Sequence, residues 1–408
     1  VGASGVVVEG FKVFDLGTPG EALITGAVED EVMADGTAFA GSSAAISSRL
    51  LANNAGLAPA VHVRPGAEIV NPFGDLTLAD AWDLSTFRFG PGQAEPGVLT
   101  LRAAGNLNFD YSFDPKTRVA SIGSLSDGFG GVSSYGLWDM PLLAPGSQSW
   151  SYRLVAGADF TAADFRRVKP AAGLAAGSGS LVLGRNAPPI TLPSNPNSPN
   201  STSNLRQNII PNYYQTIRTG TGDIDIAAAR DVQLLNPLAT IYTAGTQAAA
   251  LANFDLPNLA EPVRNSKLGP TQDPIYPAQY SLAGGNVSIM AQHDIVHERL
   301  DDSFTTLIAD SSRELPDNWL YRRGDIDPAT GQFGATHAGG EIASTSWWVD
   351  FSNFFEGVGA LGGGNVTLLA GHNVSNVDAV VPTNARAPAG APDASKLAKA
   401  ADVDGAAI

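Results

Sequence analysis

The clearest signal in the chain is a short pattern of apolar and polar positions that recurs four times. Each copy starts with Gly, continues with an apolar–polar–apolar triplet and an Ala, and ends with Asp or Asn followed by an apolar residue. The copies are segments 97–107, 222–232, 285–295 and 364–374. Apolar side chains two residues apart share one face of a strand, so each copy predicts two short strands joined at a tight corner.

The alternation also predicts which side chains face the core. The residues expected to point inward are Ile224, Ile226, Val287, Ile289, Val366 and Leu368. Those expected to point outward are Asp225, Ser288 and Thr367. One unit cannot bury its apolar face alone, whereas units stacked about 4.8 Å apart share a continuous core. The pattern therefore predicts an all-β chain, a parallel β-helix (solenoid) interrupted by long loop insertions.

The copies start 63 to 125 residues apart, which is much longer than one coil, so the intervals must hold irregular coils and excursions. We expect irregular β-helix coils over 1–186, followed by an exposed Pro/Asn/Ser-rich loop over 187–212. Regular coils should then occupy 213–381, with insertions at 246–283 and 300–350. The last part, 382–408, is expected to be an Ala/Pro-rich loop or segment end.

One insertion carries aromatic residues at helical spacing. Trp347, Trp348, Phe351, Phe354 and Phe355 would share one face of a short amphipathic helix near 346–356. Such a helix could pack its aromatic face against the outside of the coils. It could instead offer Trp347, Trp348 and Phe351 as a ligand-binding platform for sugar rings, or form a subunit contact.

Charge and composition narrow the function classes. The formal net charge of −16 argues against nucleic-acid binding, which needs positive charge to neutralise phosphates. The chain contains no Cys, which excludes disulfides and thiolate metal sites. No apolar stretch is long enough for a membrane span. Since the chain begins at Val1 and ends without an evident stop signal, we expect a segment of a longer chain.

An enzyme of the polysaccharide lyase or hydrolase type would need clustered carboxylates on an outer strand face. Asp223, Asp225, Arg230 and Asp231 are the best candidates. The other copies of the repeat carry Asn, Ser or Thr at the positions of Asp223 and Asp225, so a solvated polar face is the simpler interpretation. We therefore expect no catalytic residues.

The sequence contains two candidate metal-binding sites and supports neither of them well. His293 and His372 occupy the same repeat position and could stack or share a metal if their coils were adjacent. The acidic segment 29–36 could attract Ca²⁺, but it lacks the spacing of a calcium loop and is predicted to be a solvated turn. The sequence therefore predicts no metal site and no cofactor.

Segments 219–232 and 362–374 resemble the repeats of filamentous-haemagglutinin-like exoproteins of two-partner secretion. The resemblance implies a right-handed β-helix, export through an outer-membrane transporter, and a secreted or cell-surface location. A rod of stacked coils suits reach and its loops suit recognition, so we expect a structural or adhesive, non-catalytic role, with a host or surface glycan or self-association as partner. A building block of a surface filament or sheath is one alternative, and a polysaccharide lyase or hydrolase is the other.

Overall fold

The structure, a computed structural model, describes most of the chain outside the longest insertions. The described residues are 6–114, 119–128, 131–132, 138–139, 141–184, 190–191, 208–209, 215–236, 238–248, 280–300, 306–309, 320–323, 346–349, 354 and 357–382.

Three long parallel sheets make up the fold. The first contains Val6–Asp15, Val61–Asn71, Val98–Ala103, Ser151–Ala156, Ile224–Ala228, Val287–Ala291 and Val366–Ala370. The second contains Gly20–Ile24, Gly74–Leu78, Leu107–Phe109, Leu181–Leu183, Val232–Leu234, Ile295–Leu300 and Val374–Ser375, with Leu307–Ala309 antiparallel at its edge. The third contains Ala81–Asp83, Ser124–Ser126, Gln215–Thr219, Ala239–Thr243, Val358–Ala360 and Ala379–Val380.

The order along the chain is the same each time: a strand of the first sheet, then of the second, then of the third. We call one such round a pass. Six passes are complete within the described residues, and strands of successive passes pair in parallel. The all-β prediction is confirmed, and the long sheets are parallel as the repeat predicts.

The core lies between the sheets and is built from inward rows of aliphatic side chains. Ile224, Ile226, Val287 and Ile289 are at most 1% exposed, which confirms their predicted orientation. Val366 and Leu368 pack against the same core but stay partly exposed, because they belong to the last pass that the structure describes. The outward positions Asp225 and Ser288 are partly exposed and Thr367 is exposed, so the predicted register is right.

Short antiparallel pairs project from the passes. They are Tyr111–Asp114 with Val119–Ile122, Gly131–Val132 with Trp138–Asp139, Ile190–Thr191 with Asn208–Ile209, Thr246–Gln247 with Ser281–Leu282, and Leu320–Arg323 with Ser346–Val349. Most residues of the expected loop at 187–212, and all but residue 382 of the expected end at 382–408, lie outside the described residues.

Two α-helices, α1 (Gly26–Ala40) and α2 (Ser43–Leu50), follow the first two strands, and neither was predicted. The acidic segment 29–36 is therefore not a turn but part of α1. Val32 and Gly36, one helical turn apart, are its buried residues, and a Cβ at Gly36 would overlap the ring of Phe89. Short 3₁₀ helices occupy Ala55–Ala60, Pro91–Gln93 and Ala171–Gly173. Within the described part of the chain, no helix has the length and apolarity that a membrane crossing requires.

The predicted helix near 346–356 is wrong over its first turn, because Ser346–Val349 is a β-strand. It pairs with Leu320–Arg323, which places Trp348 opposite Tyr321 and Trp347 opposite Arg322. Trp and Val fit a paired strand well, and a strand partner more than 20 residues away leaves no trace in local spacing.

Candidate functional site

A ladder of side-chain hydrogen bonds runs along the corner between the first and second sheets. We call it the corner ladder, and its members are Asp75, Asn106, Ser180, Asp231, Asp294 and Asn373. A side-chain oxygen of each member accepts the backbone N–H of the next, at N···O distances of 2.6 to 3.3 Å. The Asp or Asn near the end of the repeat, or Ser180 in one pass, thus links each corner of the ladder to the next.

A second ladder stands where the first-sheet strands begin. Asp223 Oδ1 accepts the backbone N–H of Asn286 at 2.7 Å and its side-chain amide at 3.0 Å. Asn286 Oδ1 accepts the same two donors of Asn365 at 2.9 and 3.1 Å. The Gly–Asx start of the repeat therefore also has a structural purpose.

Two histidines lie beside the C-terminal end of the corner ladder. The rings of His293 and His372 stack with their centroids 4.9 Å apart and their planes 11° from parallel. Their passes are adjacent, which is the condition on which the sequence prediction of a stack depended. Both side chains are more than half exposed.

The Nδ1 atoms of both rings face ladder carboxylates. His293 Nδ1 lies 2.8 Å from Asp231 Oδ1 and 3.2 Å from Asp294 Oδ2, and His372 Nδ1 lies 3.0 Å from Asp294 Oδ1. Burial raises the pKa of the Asp294 carboxyl, but the N–H of Asn373 and the two imidazoles outweigh burial and hold that pKa below its ordinary value. Asp294 is thus an ionised acceptor between the two rings.

Sequence reasoning missed this third polar group, although Asp294 directly follows His293. The signal was available, because the ladder position and the histidine position are consecutive in the repeat. His293, His372 and Asp294 each offer a ligand atom, and these atoms lie within 4.8 Å of one another.

Three of the four predicted catalytic candidates have structural partners. Asp223 and Asp231 accept ladder hydrogen bonds. Arg230 donates its Nε–H to the carbonyl of Ser178 at 3.0 Å and a further N–H to the carbonyl of Ala175. The aspartate contacts hold neighbouring passes together, and the Arg230 contacts hold the segment that contains Ala175 and Ser178.

The fourth candidate, Asp225, stands on the outer face of the first sheet, in register with Arg153 and Ser288. Burial raises the pKa of its carboxyl above the ordinary value. The positive charge of Arg166 opposes this shift, nearby Asp223 adds to it, and Arg153 opposes it. Asp225 is therefore the one candidate whose environment resembles that of a functional carboxylate.

A groove lies between the first sheet and residues 157–178, which we call the covering segment. The groove has a volume of about 800 Å³. The covering segment contributes Asp164, Arg166 and Arg167, and the sheet contributes Met290, Gln292 and Leu369. Gln292 holds the segment by accepting the N–H of Ala171 and donating to the carbonyl of Lys169. The groove thus combines an apolar floor with a charged wall.

Two of the three aromatic ligand-binding candidates, Trp347 and Trp348, lie in a strand rather than in a helix. They are consecutive residues of the strand Ser346–Val349. Phe351 lies outside the described residues. Phe354 is fully buried and contacts Tyr242 edge to face at 5.2 Å, so it supports the core.

Comparison of the chain with protein-family models, with curated proteins and with solved structures gave no match. The functional proposal therefore depends on the geometry described above and on the repeat itself.

Proposed function

We propose that this chain is a non-catalytic structural segment of a secreted bacterial exoprotein, folded as a right-handed parallel β-helix. The observation that carries the proposal is the corner ladder, which runs unbroken through six consecutive passes. A ladder of this kind stabilises the stacking of one pass on the next, which is the property that a structural solenoid needs.

The dimensions suit a spacer. Seven first-sheet strands with six intervals of about 4.8 Å give a rise of about 29 Å for the described part of the chain. Each pass contacts only its neighbours, so a longer chain of the same design gains length without a new core. Such a rod would hold its projecting loops away from a cell surface.

The acidic character of the chain favours the same role. A net charge of −16 disfavours collapse onto an anionic cell envelope. Export through an outer-membrane two-partner-secretion transporter is the route that the resemblance implies, and a secreted or cell-surface location follows from it.

An adhesive function would use the parts that leave the passes. Scaffolds present recognition on loops and on grooves between elements. The groove under the covering segment and the antiparallel projections are the places where a glycan or a second copy would bind. A surface filament needs the stacked passes alone.

The location is tested on intact cells of the source bacterium with an antibody against this chain. We expect external protease to remove the antigen, while a cytoplasmic marker protein stays intact. An antigen that resists protease until the cells are lysed would contradict the proposal. Electron microscopy of labelled cells then distinguishes a filament from a dispersed adhesin.

A further inference from the structure

We propose that His293, His372 and Asp294 form a binding site for a divalent transition-metal cation of the Zn²⁺ type, shared between two adjacent passes. His293 and Asp294 belong to one corner and His372 to the corner stacked on it. The site is independent of the proposed structural role of the whole chain, since it concerns these corners alone.

The ligand types and spacing fit such a cation. Two imidazole nitrogens and one carboxylate oxygen lie within 4.8 Å of one another. Zn²⁺ takes N and O ligands at about 2.0–2.2 Å, and three protein ligands plus water is a common set. The two imidazoles are exposed side chains, so their rings can turn toward a cation beside Asp294. Asp231 Oδ1, 2.8 Å from His293 Nδ1, is the nearest further carboxylate oxygen.

The Nδ1 atom of each ring faces two polar groups at hydrogen-bonding distance. His293 Nδ1 faces carboxylate oxygens of both Asp231 and Asp294, but one ring N–H is a full donor to one acceptor only. His372 Nδ1 faces Asp294 Oδ1 at 3.0 Å and the Asn373 amide nitrogen at 2.7 Å. One Nδ1 proton therefore does not serve both neighbours of His372.

A cation removes the need for a proton on either Nδ1 atom. When both Nδ1 lone pairs bind the cation, the carboxylate oxygens receive positive charge without a ring proton. The tautomer with hydrogen on Nε2 then leaves Nε2–H directed to solvent. The pair of imidazoles also sets selectivity, since imidazole favours Zn²⁺, Cu²⁺ and Ni²⁺ over Mg²⁺ and Ca²⁺.

The cluster is confined to one end of the corner ladder. The equivalent positions in the two other full copies of the repeat are Gly105 and Arg230. The side chains of His293 and His372 are 52% and 63% exposed, so a cation reaches them without opening the core. Because His293 and His372 are 79 residues apart in the chain, the cation would fasten the last described pass to the one before it.

The test uses the whole chain with no affinity tag and measures Zn²⁺ binding by titration calorimetry. We expect a saturable site with a stoichiometry of one. His372→Ala and Asp294→Asn should each weaken binding at least tenfold, and the asparagine keeps a side-chain oxygen for the ladder. His62→Ala is the matched control, because His62 also pairs with a carboxylate, Glu95 at 2.7 Å, but lies outside the cluster.

The melting temperature of the chain tests the Zn²⁺ site independently of calorimetry. Zn²⁺ should raise the melting temperature of the parent chain and of His62→Ala, but not that of His372→Ala, and Mg²⁺ should have no such effect. Circular dichroism checks that each variant is folded. Binding that is absent from the parent chain, unchanged in the cluster variants, or reduced equally by His62→Ala would overturn the proposal.

Discussion

One carboxylate oxygen of Asp223 accepts both the backbone N–H and the side-chain amide of Asn286, the residue at the same repeat position one pass later. Asn286 then does the same for Asn365. An asparagine is suited to this position because its amide donates backward while its carbonyl accepts forward. The Asx residue after the first Gly of the last three repeats thus joins three passes.

Replacing the middle member of this ladder should loosen the stack. Asn286→Ala removes the donor to Asp223 and the acceptor for Asn365, and these bonds are exposed to water. We expect a loss of about 1 kcal/mol in the free energy of unfolding, the usual net value for such hydrogen bonds. Chemical denaturation measures it, and Asn53→Ala, at an exposed asparagine outside both ladders, should change little.

The register of the first sheet can be tested with introduced cysteines, since the chain has none of its own. Ser288 and Thr367 are directly paired on neighbouring parallel strands. Adjacent strands lie about 4.8 Å apart, which suits a disulfide, so Ser288→Cys with Thr367→Cys should cross-link on oxidation.

The matched control for this cross-link pairs Asp225→Cys with Thr367→Cys. Asp225 is one strand further away, at about 9.6 Å, which exceeds the reach of a disulfide. Non-reducing electrophoresis after proteolysis between the two sites distinguishes the two variants. Equal cross-linking of both pairs would mean that the register is wrong.

Helix α1 contains a carboxyl group whose ionisation opposes folding. Burial raises the pKa of Glu29 to about 7, and the negative charges of Asp80 and Asp30 contribute further. The folded chain therefore holds this proton more tightly than the unfolded chain, where the pKa is near 4.5. Stability from this group is fully present below about pH 4.5 and is lost as the pH rises to about 7.

Glu29→Gln should therefore stabilise the protein at pH 8 and leave it nearly unchanged at pH 4. We expect a gain of roughly 1 kcal/mol at pH 8, because the partial exposure of Glu29 screens most of the effect. Thermal melts at both pH values measure it. Glu31→Gln, at a position on the same helix whose side chain is 65% exposed, should not show this pH dependence.

Asp127, which directly follows the third-sheet strand Ser124–Ser126, forms a buried ion pair with Arg88. Asp127 accepts a hydrogen bond from Arg88 at 2.6 Å and from the Trp150 N–H at 2.7 Å, and its side chain is fully buried. Asp127→Ala would leave the Arg88 charge without its partner in a mostly buried position. We expect a destabilisation of about 3–5 kcal/mol, the usual cost of breaking such a pair from one side.

The control for Asp127 is an exposed pair. Asp164 lies 3.7 Å from Arg166, and both side chains are at least half exposed. Asp164→Ala should cost less than about 1 kcal/mol. Similar losses in free energy for the two variants, measured by denaturant unfolding, would show that burial does not decide the strength of these pairs.

The repeat predicted the sheets well because strand orientation is set by neighbouring residues. Alternation over five residues is enough to place Ile224 and Ile226 inside and Asp225 outside. The ladders could also have been found, since Asp or Asn recurs at fixed positions. The alternation does not show which passes are neighbours. The contact between His293 and His372 therefore depends on the order of the passes, which only the structure shows.

The helices and projections were missed for a different reason. Helix α1 is rich in Ala and Gly and has a weak apolar stripe, so packing of Val32 rather than periodicity holds it in place. The strand Ser346–Val349 depends on pairing with Leu320–Arg323, a partner that local spacing does not reveal. In both cases a tertiary contact overrides the local pattern.

A non-catalytic structural protein and a polysaccharide lyase or hydrolase differ in whether they cleave acidic polysaccharides. Asp225 has a raised pKa and lies near Arg153 and near Arg166, which lines the groove, and a catalytic carboxylate would need such a setting. Its neighbour Asp223 is engaged by Asn286, so a second free carboxylate is not at hand on this strand. We expect no rise in near-ultraviolet absorbance when the chain is incubated with acidic polysaccharides, whose lyase products carry an absorbing double bond. We also expect no release of reducing sugar ends, which hydrolysis would produce. A signal in either assay that disappears in Asp225→Ala, while Ser288→Ala retains it, would establish catalysis at this groove and overturn the non-catalytic proposal.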